Sequence, residues 1–198
     1  MPDDARIHLL ARVARVARGA ASGVSGPAPD SVKPLSILSL AATAYGSRPS
    51  EDATVPTGFD PLAVVLFEAI VEGAFLVANS DGVFDPEERR TFEAVVVAAC
   101  GGAVSSPQIT ALVSDLTDQL EEDGIDRRIE VMTSIVSRPD HAQEVLRIAG
   151  LVALSSEDVS AIERQTLEKL ATRWSLGEGA VDSALSDVRD AIAAAAKA

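Results

Sequence analysis

Apolar residues recur at helical spacing along most of this chain, and the two-residue alternation typical of a half-buried strand is scarce. In residues 1–19, Ile7, Leu10 and Val13 fall on one side of a helical wheel and arginines on the other. A second, shorter apolar run extends from Pro34 to Tyr45. The pattern therefore predicts an all-α protein that begins with an amphipathic basic helix and a short apolar helix.

Stretches rich in glycine, serine and proline, residues 20–33 and 46–58, separate these two helices from each other and from the rest of the chain. After them, the apolar spacing predicts a bundle of about seven helices. The dipeptide Asp60-Pro61 is placed to cap and begin the first of these, which is apolar almost all round and is expected to be the central buried helix. We therefore divide the chain into an N-terminal extension, residues 1–58, and a helical domain, residues 59–198.

The domain contains an internal repeat at an offset of 75 residues. The sequence Leu76-Val77-Ala78 reappears as Leu151-Val152-Ala153, each time within an apolar helix. In both copies a new helix then begins with the pattern of a capping box. Neither unit can bury its apolar face alone, so we expect two helix–loop–helix units that pack together as a pseudo-symmetric pair. The capping pairs are Asp85 with Glu88 and Ser160 with Glu163.

The first unit contains a strongly acidic loop. Its turn, Asn79-Ser80-Asp81-Gly82, favours left-handed backbone and ends the preceding helix, and three more acids, Asp85, Glu87 and Glu88, follow closely. Helix capping explains Asp85 and Glu88 without any ion, whereas a turn before glycine accepts Asn or Ser as readily as Asp81. The loop therefore has both a structural and a cation-binding interpretation.

The run Ala78-x-x-Asp81-Gly82-x-Phe84-x-x-x-Glu88, its weaker copy around Glu163 and Leu176 before the last helix resemble the tellurite-resistance TerB family. The resemblance covers roughly the last two-thirds of the chain. It implies an all-helical fold of two acidic helix–loop–helix units, binding of a divalent cation, and a role in metal or tellurite stress response. The second copy departs from the motif, because Ser156-Glu157 stands in place of Asp-Gly, with Asp158 just after.

The resemblance makes the acidic loop a candidate divalent-cation site, with calcium or magnesium favoured because both ions prefer oxygen ligands. The loop partly fits an EF-hand that ends at Glu88, but Val77 occupies the first position, where Asp is usual. An independent EF-hand is therefore rejected, and the second copy must complete the site. The candidate ligands are Asp81 and Glu88 as the primary pair, Asp85 beside them, and Glu163, Glu157 and Asp158 from the second copy.

Two further carboxylates, Glu68 and Glu72, share one narrow side of the central helix and point towards the acidic loop. Either could lend an oxygen to an ion, or both could mark the wetter side of the helix, or Glu72 could pair with its counterpart in the repeat, Arg147. The acids from Glu121 to Asp123 are a weaker second candidate for a cation patch, because charge runs are usually solvated faces.

The distribution of charge narrows the possible partners. The net charge is −13; residues 1–58 hold six basic and five acidic residues, and residues 59–198 hold 11 and 25, a net −14. Binding of nucleic acid needs a basic surface, so no nucleic-acid ligand is expected. An acidic surface suits a cation or a basic protein partner.

The single cysteine, Cys100, cannot form an internal disulfide and fits a reducing cytoplasm, and we expect it to be a small buried residue at a helix end. No stretch is expected to span a membrane, and the first residues lack the apolar core of a secretory signal. These features favour a cytoplasmic protein and leave its oligomeric state open.

The basic helix in residues 1–19 has two interpretations. It could lie on an anionic membrane, or dock on a membrane protein or an acidic partner. The favoured interpretation is that it covers part of this protein's own acidic domain, with its arginines in water.

No enzyme is expected, because the chain has no phosphate-binding glycine loop, no nucleophile elbow and no cluster of His and Cys. Two classes of function remain. The first is a TerB-like protein that binds a divalent cation and acts in stress response through partner proteins. The second is a helical adaptor without a metal that docks through its N-terminal helix.

Overall fold

The computed structural model describes residues 4–16, 36–48, 60–155 and 158–197, and 78% of the described chain is helical. No strand occurs in these ranges, which confirms the all-α class predicted from the apolar spacing. The helices are α1 (Asp4–Arg15), α2 (Ile37–Gly46), α3 (Pro61–Ala78), α4 (Pro86–Ala99), α5 (Ser106–Asp123), α6 (Ile125–Ile135), α7 (Pro139–Ala153), α8 (Ala161–Arg173) and α9 (Ala180–Ala195).

The described residues form a bundle of nine helices, not the predicted seven, because the two helices before residue 59 are part of it. Two of the nine, α1 and α2, belong to the segment that was predicted as an extension. Both bury their apolar faces in the same core as α3 to α9: Leu10 and Val13 of α1, and Leu38 and Tyr45 of α2, are at most 3% exposed. Helical spacing identifies the apolar face of a helix, but it does not identify the element that covers that face.

Helix α3 is the central helix of the fold, as its apolar surface predicted. Asp60 caps it by accepting a 2.9 Å hydrogen bond from the N–H of Leu62, and the helix packs mainly against α7 and α2. By length and composition alone α3 could also cross a membrane, so the expectation that no stretch has these properties is wrong. Here most of its residues from Phe67 to Val77 are buried inside the protein.

The two helix–loop–helix units pack against each other where α3 meets α7, and Gly73 makes the approach close. A β-carbon on Gly73 would lie 2.4 Å from Cγ1 of Val145, which is fully buried. That distance is far shorter than any van der Waals contact, so the helices approach here only because Gly73 has no side chain.

A buried ion pair on α7 joins the N-terminal helices to the core. Arg147 and Glu144 are 6% and 3% exposed, and Nε of the arginine lies 2.8 Å from Oε2 of the glutamate. Arg147 also donates to the carbonyl oxygens of Val13 and Ala14 at the end of α1, at 3.2 and 2.9 Å. Oε1 of Glu144 accepts a 3.3 Å bond from the N–H of Leu38 at the start of α2. The positive Arg147 therefore lies at the negative, C-terminal end of the α1 dipole, and the negative Glu144 lies at the positive, N-terminal end of the α2 dipole.

Arginines of α1 bind the C-terminal ends of three other helices. Nη1 of Arg15 donates to the carbonyl oxygen of Ala98 in the last turn of α4, at 2.7 Å. The last carbonyls of a helix lack partners within it and carry the negative end of its dipole, so guanidinium groups are favoured there. Helix α1 thus covers this protein's own domain, as expected, but these arginines bind helix ends as well as facing water. Arg6 and Arg12 make the corresponding bonds to Leu154 after α7 and Ala195 of α9.

The two carboxylates of α3 are engaged in ion pairs away from the acidic loop. Oε1 of Glu72 lies 2.7 Å from Nη2 of Arg128 on α6. The alternative prediction that Glu72 pairs with Arg147 is therefore wrong. Glu68 lies 3.4 Å from Nη1 of Arg48. Burial raises the pKa of Glu72, although Arg128 acts in the opposite direction. Neither carboxylate is positioned as a partner of the acidic loop.

Cys100 lies at the end of α4, and Asp140 lies at the start of α7. Cys100 is buried at the C-terminal cap of α4, as expected, and burial raises the pKa of its thiol to about 12. The N-cap position of α7 is occupied by Arg138, and the helix begins at Pro139 rather than at Asp140. Asp140 lies in the first turn instead, where its Oδ2 is 2.7 Å from Nη2 of Arg138.

Replacing Gly73 with alanine is expected to destabilise the protein, because the added methyl group overlaps Val145. Overpacking of this kind costs about 1–3 kcal/mol. The double variant Gly73→Ala/Val145→Ala removes the overlapping atom, so its loss of stability should be smaller than the sum of the two single losses, by at least about 0.5 kcal/mol. Urea unfolding of the parent and the three variants measures this coupling, and additive losses would contradict the close approach.

Candidate functional site

A groove of about 280 Å³ lies where the two helix–loop–helix units come together. Glu88 of α4 and Glu163 of α8 both line it, although they are 75 positions apart in the chain. They occupy equivalent positions in the internal repeat, so the packing of the two units places the two capping-box glutamates on one surface. The other lining residues are contributed by α3, α4, α7 and the adjoining turns, and include Ala78, Phe84, Glu87, Phe92, Val152 and Ser155.

The apolar part of the groove is supported by a cluster of three phenylalanines. The ring centroids of Phe75 and Phe84 are 5.5 Å apart, and Phe92 lies 6.2 and 6.0 Å from them, all in edge-to-face geometry. Aromatic rings prefer this geometry because the positive edge of one faces the negative face of another. Phe75 and Phe92 are buried, whereas Phe84 is only half-buried. The cluster therefore fixes the orientation of Phe84 at the groove.

The start of α4 is held by the predicted capping box. Oδ1 of Asp85 accepts hydrogen bonds from the N–H groups of Glu87 and Glu88, at 2.7 and 3.0 Å, and Oε2 of Glu88 accepts from the N–H of Asp85 at 2.9 Å. The bonds from the N–H groups of Glu88 and Glu87 are the main reason that the pKa of Asp85 is lowered. The cap uses one oxygen of Glu88, and its other oxygen has no hydrogen bond to another described residue.

The second capping box has the same form. Oε2 of Glu163 accepts a 2.8 Å hydrogen bond from the N–H of Ser160, and the hydroxyl of Ser160 accepts from the N–H of Glu163 at 3.2 Å. The local signals that predicted both boxes are confirmed. Each box leaves one carboxylate oxygen of its glutamate outside the cap.

Three other predicted ligands, Asp81, Asp85 and Asp158, do not line the groove. Asp81 is exposed, and its Oδ1 accepts a 2.9 Å bond from the N–H of Val83, which closes the turn. Asp85 faces its own helix start, Asp158 is exposed, and Glu157 lies outside the described residues. Across the described ranges, no group of three or more His, Cys, Asp or Glu is arranged to hold a metal ion. Hydrogen bonds of the turn and of the cap explain why Asp81 and Asp85 do not line the groove, because they direct these short side chains back onto the backbone.

The sequence did not reveal the groove as a unit. Glu87 was recognised only as an acid of the loop, yet it lines the groove beside Glu88 and Glu163. Phe84 was recognised as part of the motif, not as part of an apolar surface that it shares with Phe92. The repeat was the available signal, since equivalent residues of two packed copies can meet near a common axis.

No protein-family model, curated protein or solved structure matches the chain. The resemblance to the TerB family therefore rests on the sequence motif alone, and the groove is the feature from which a function can be inferred.

The capping bonds of Asp85 give the stability a pH dependence. Because the folded-state pKa of Asp85 is lowered, its contribution is present above the ordinary Asp pKa and is lost as the pH falls through the folded-state value. Asparagine caps a helix comparably but does not titrate. The stability of the parent relative to Asp85→Asn should therefore decrease as the pH falls below about 4. Urea unfolding of both proteins between neutral and acidic pH measures the difference, and a constant difference would contradict the assignment.

Proposed function

We propose that this protein is a TerB-like, non-catalytic cytoplasmic protein that binds a divalent cation in the groove between α4 and α8 and acts in stress response through partner proteins. The observation that carries the proposal is that Glu88 and Glu163, equivalent residues of the two units, line the same groove. A repeat that brings the same carboxylate from each copy to one place supplies oxygens from two independent elements, as a hard cation requires.

The electrostatics of the groove support a cation ligand. Glu87, Glu88 and Glu163 line a groove on a protein of net charge −13, and each capping box engages one oxygen of its glutamate. The starts of α4 and α8 carry the positive ends of two helix dipoles, which stabilise the same carboxylates. The helix ends and an added cation therefore compete for the same carboxylates. The groove favours a cation, but this competition makes the binding of the cation weak.

The small number of carboxylates favours magnesium over calcium. Magnesium keeps several of its waters and is commonly bound by one or two carboxylates, whereas calcium takes six to eight oxygens. Glu88 and Glu163 supply few protein oxygens to the groove, which suits a hydrated magnesium ion. We expect a dissociation constant on the order of 10⁻⁴ to 10⁻³ M, at the weak end of the range for oxygen-ligand sites.

Docking through the N-terminal helix has less support. The apolar face of α1 that would contact a membrane or a partner is covered by this protein itself, with Leu10, Val13 and Ala14 buried. The helix is also fixed at its end by Arg147. Releasing it would break these contacts before any new ones form.

Calorimetric titration of the metal-free full chain with Mg²⁺, Ca²⁺, Mn²⁺ and Zn²⁺ tests the proposal. Glu88→Gln and Glu163→Gln keep an oxygen for the capping box but remove the charge, and each is expected to weaken binding by at least about tenfold. Asp81→Asn should have no effect, because Asp81 does not line the groove. Glu178→Gln, which changes an exposed glutamate outside the groove, is the matched control. The absence of saturable binding, or equal affinity in all variants, would contradict a cation site here.

A further inference from the structure

A metal ion makes no use of the apolar part of the groove. The half-buried Phe84 and Ala78 present apolar surface beside the glutamates, and the buried Phe92 and Val152 also line the groove. Two large apolar side chains adjacent in sequence to lining residues are also exposed to solvent: Val83, next to Phe84, is 59% exposed, and Ile162 is 47% exposed. Single exposed apolar residues are normal, but a partly apolar groove that is also lined by glutamates indicates a binding surface.

We propose that this groove is the docking site for a basic amphipathic segment of a partner protein. Glu87, Glu88 and Glu163 provide the charge complementarity, since the ammonium or guanidinium groups of such a segment can pair with them. The methylene stems of its Lys or Arg side chains then lie along Phe84, while its apolar residues cover Val83. The inference goes beyond cation binding and stands without it, because it depends on the apolar surface.

The charge of the chain argues against other occupants. A second copy would bring another net charge of −13 to an acidic groove, and an anionic membrane would also be repelled. The chain's own basic amphipathic helix, α1, has its apolar face buried elsewhere. A volume of about 280 Å³ is at the low end for ligand pockets, so it suits a few anchoring side chains of one segment.

The test measures binding of a fluorescein-labelled helical peptide of leucine and lysine to the full chain by fluorescence anisotropy, without divalent ions. A peptide with glutamate in place of lysine is the ligand control. We expect saturable binding of the basic peptide only. The double variants Glu88→Gln/Glu163→Gln and Val83→Ser/Ile162→Ser should each raise its dissociation constant by about tenfold. Two controls, Glu121→Gln/Glu122→Gln and Leu62→Ser/Ile135→Ser, change exposed acidic and apolar residues elsewhere and should change the dissociation constant by less than about twofold.

Equal weakening by the groove variants and their matched controls would show non-specific attraction and overturn the proposal, as would the absence of saturable binding. The two functions fail separately. The double variant Val83→Ser/Ile162→Ser should leave the calorimetric response to Mg²⁺ unchanged but weaken the binding of the basic peptide. If the parent protein binds the peptide but no divalent ion, the cation proposal is contradicted and the docking proposal is not.

Discussion

Charges buried in a helical core cost several kcal/mol each unless every one finds partners. Glu144 and Arg147 of α7 meet that condition by pairing with each other and by bonding to two helix ends, carbonyls in the last turn of α1 and the N–H of Leu38 in the first turn of α2. Those backbone groups would otherwise be unsatisfied at buried helix termini. One ion pair thus satisfies its own charges and joins both N-terminal helices to the core.

The position of the groove depends on this arrangement. Helix α1, held at its end by Arg147, packs along α4 and bonds to its last turn through Arg15. Helix α4 carries Glu87, Glu88 and Phe92 into the groove, while α7 carries the ion pair and also packs against α3. The N-terminal helices therefore help to determine where the acidic loop of one unit stands relative to the other.

Features set by neighbouring residues could be predicted from the sequence. Asp60-Pro61 marked the start of α3 and the pairs Asp85/Glu88 and Ser160/Glu163 marked two capping boxes, because caps depend on residues within one turn. Features set by distant residues could not. The helix spacing did not show that α1 and α2 share the main core, or that Arg128 forms an ion pair with Glu72. The sequence identified the carboxylates of the loop. It did not show which of them would serve the cap, the turn or the groove, because that depends on backbone hydrogen bonds that only the fold defines.

Amide hydrogen exchange of the parent and of Glu144→Leu/Arg147→Met tests the role of this pair most directly. The variant replaces both charges with apolar side chains of similar size, so no unpaired charge is left in the core. If the pair holds α1 and α2 in place, their amides should exchange at least about tenfold faster in the variant, while those of α5 and α8 keep their protection. Unchanged protection of α1 and α2 would contradict the account, because it would show that apolar packing alone fixes the N-terminal helices.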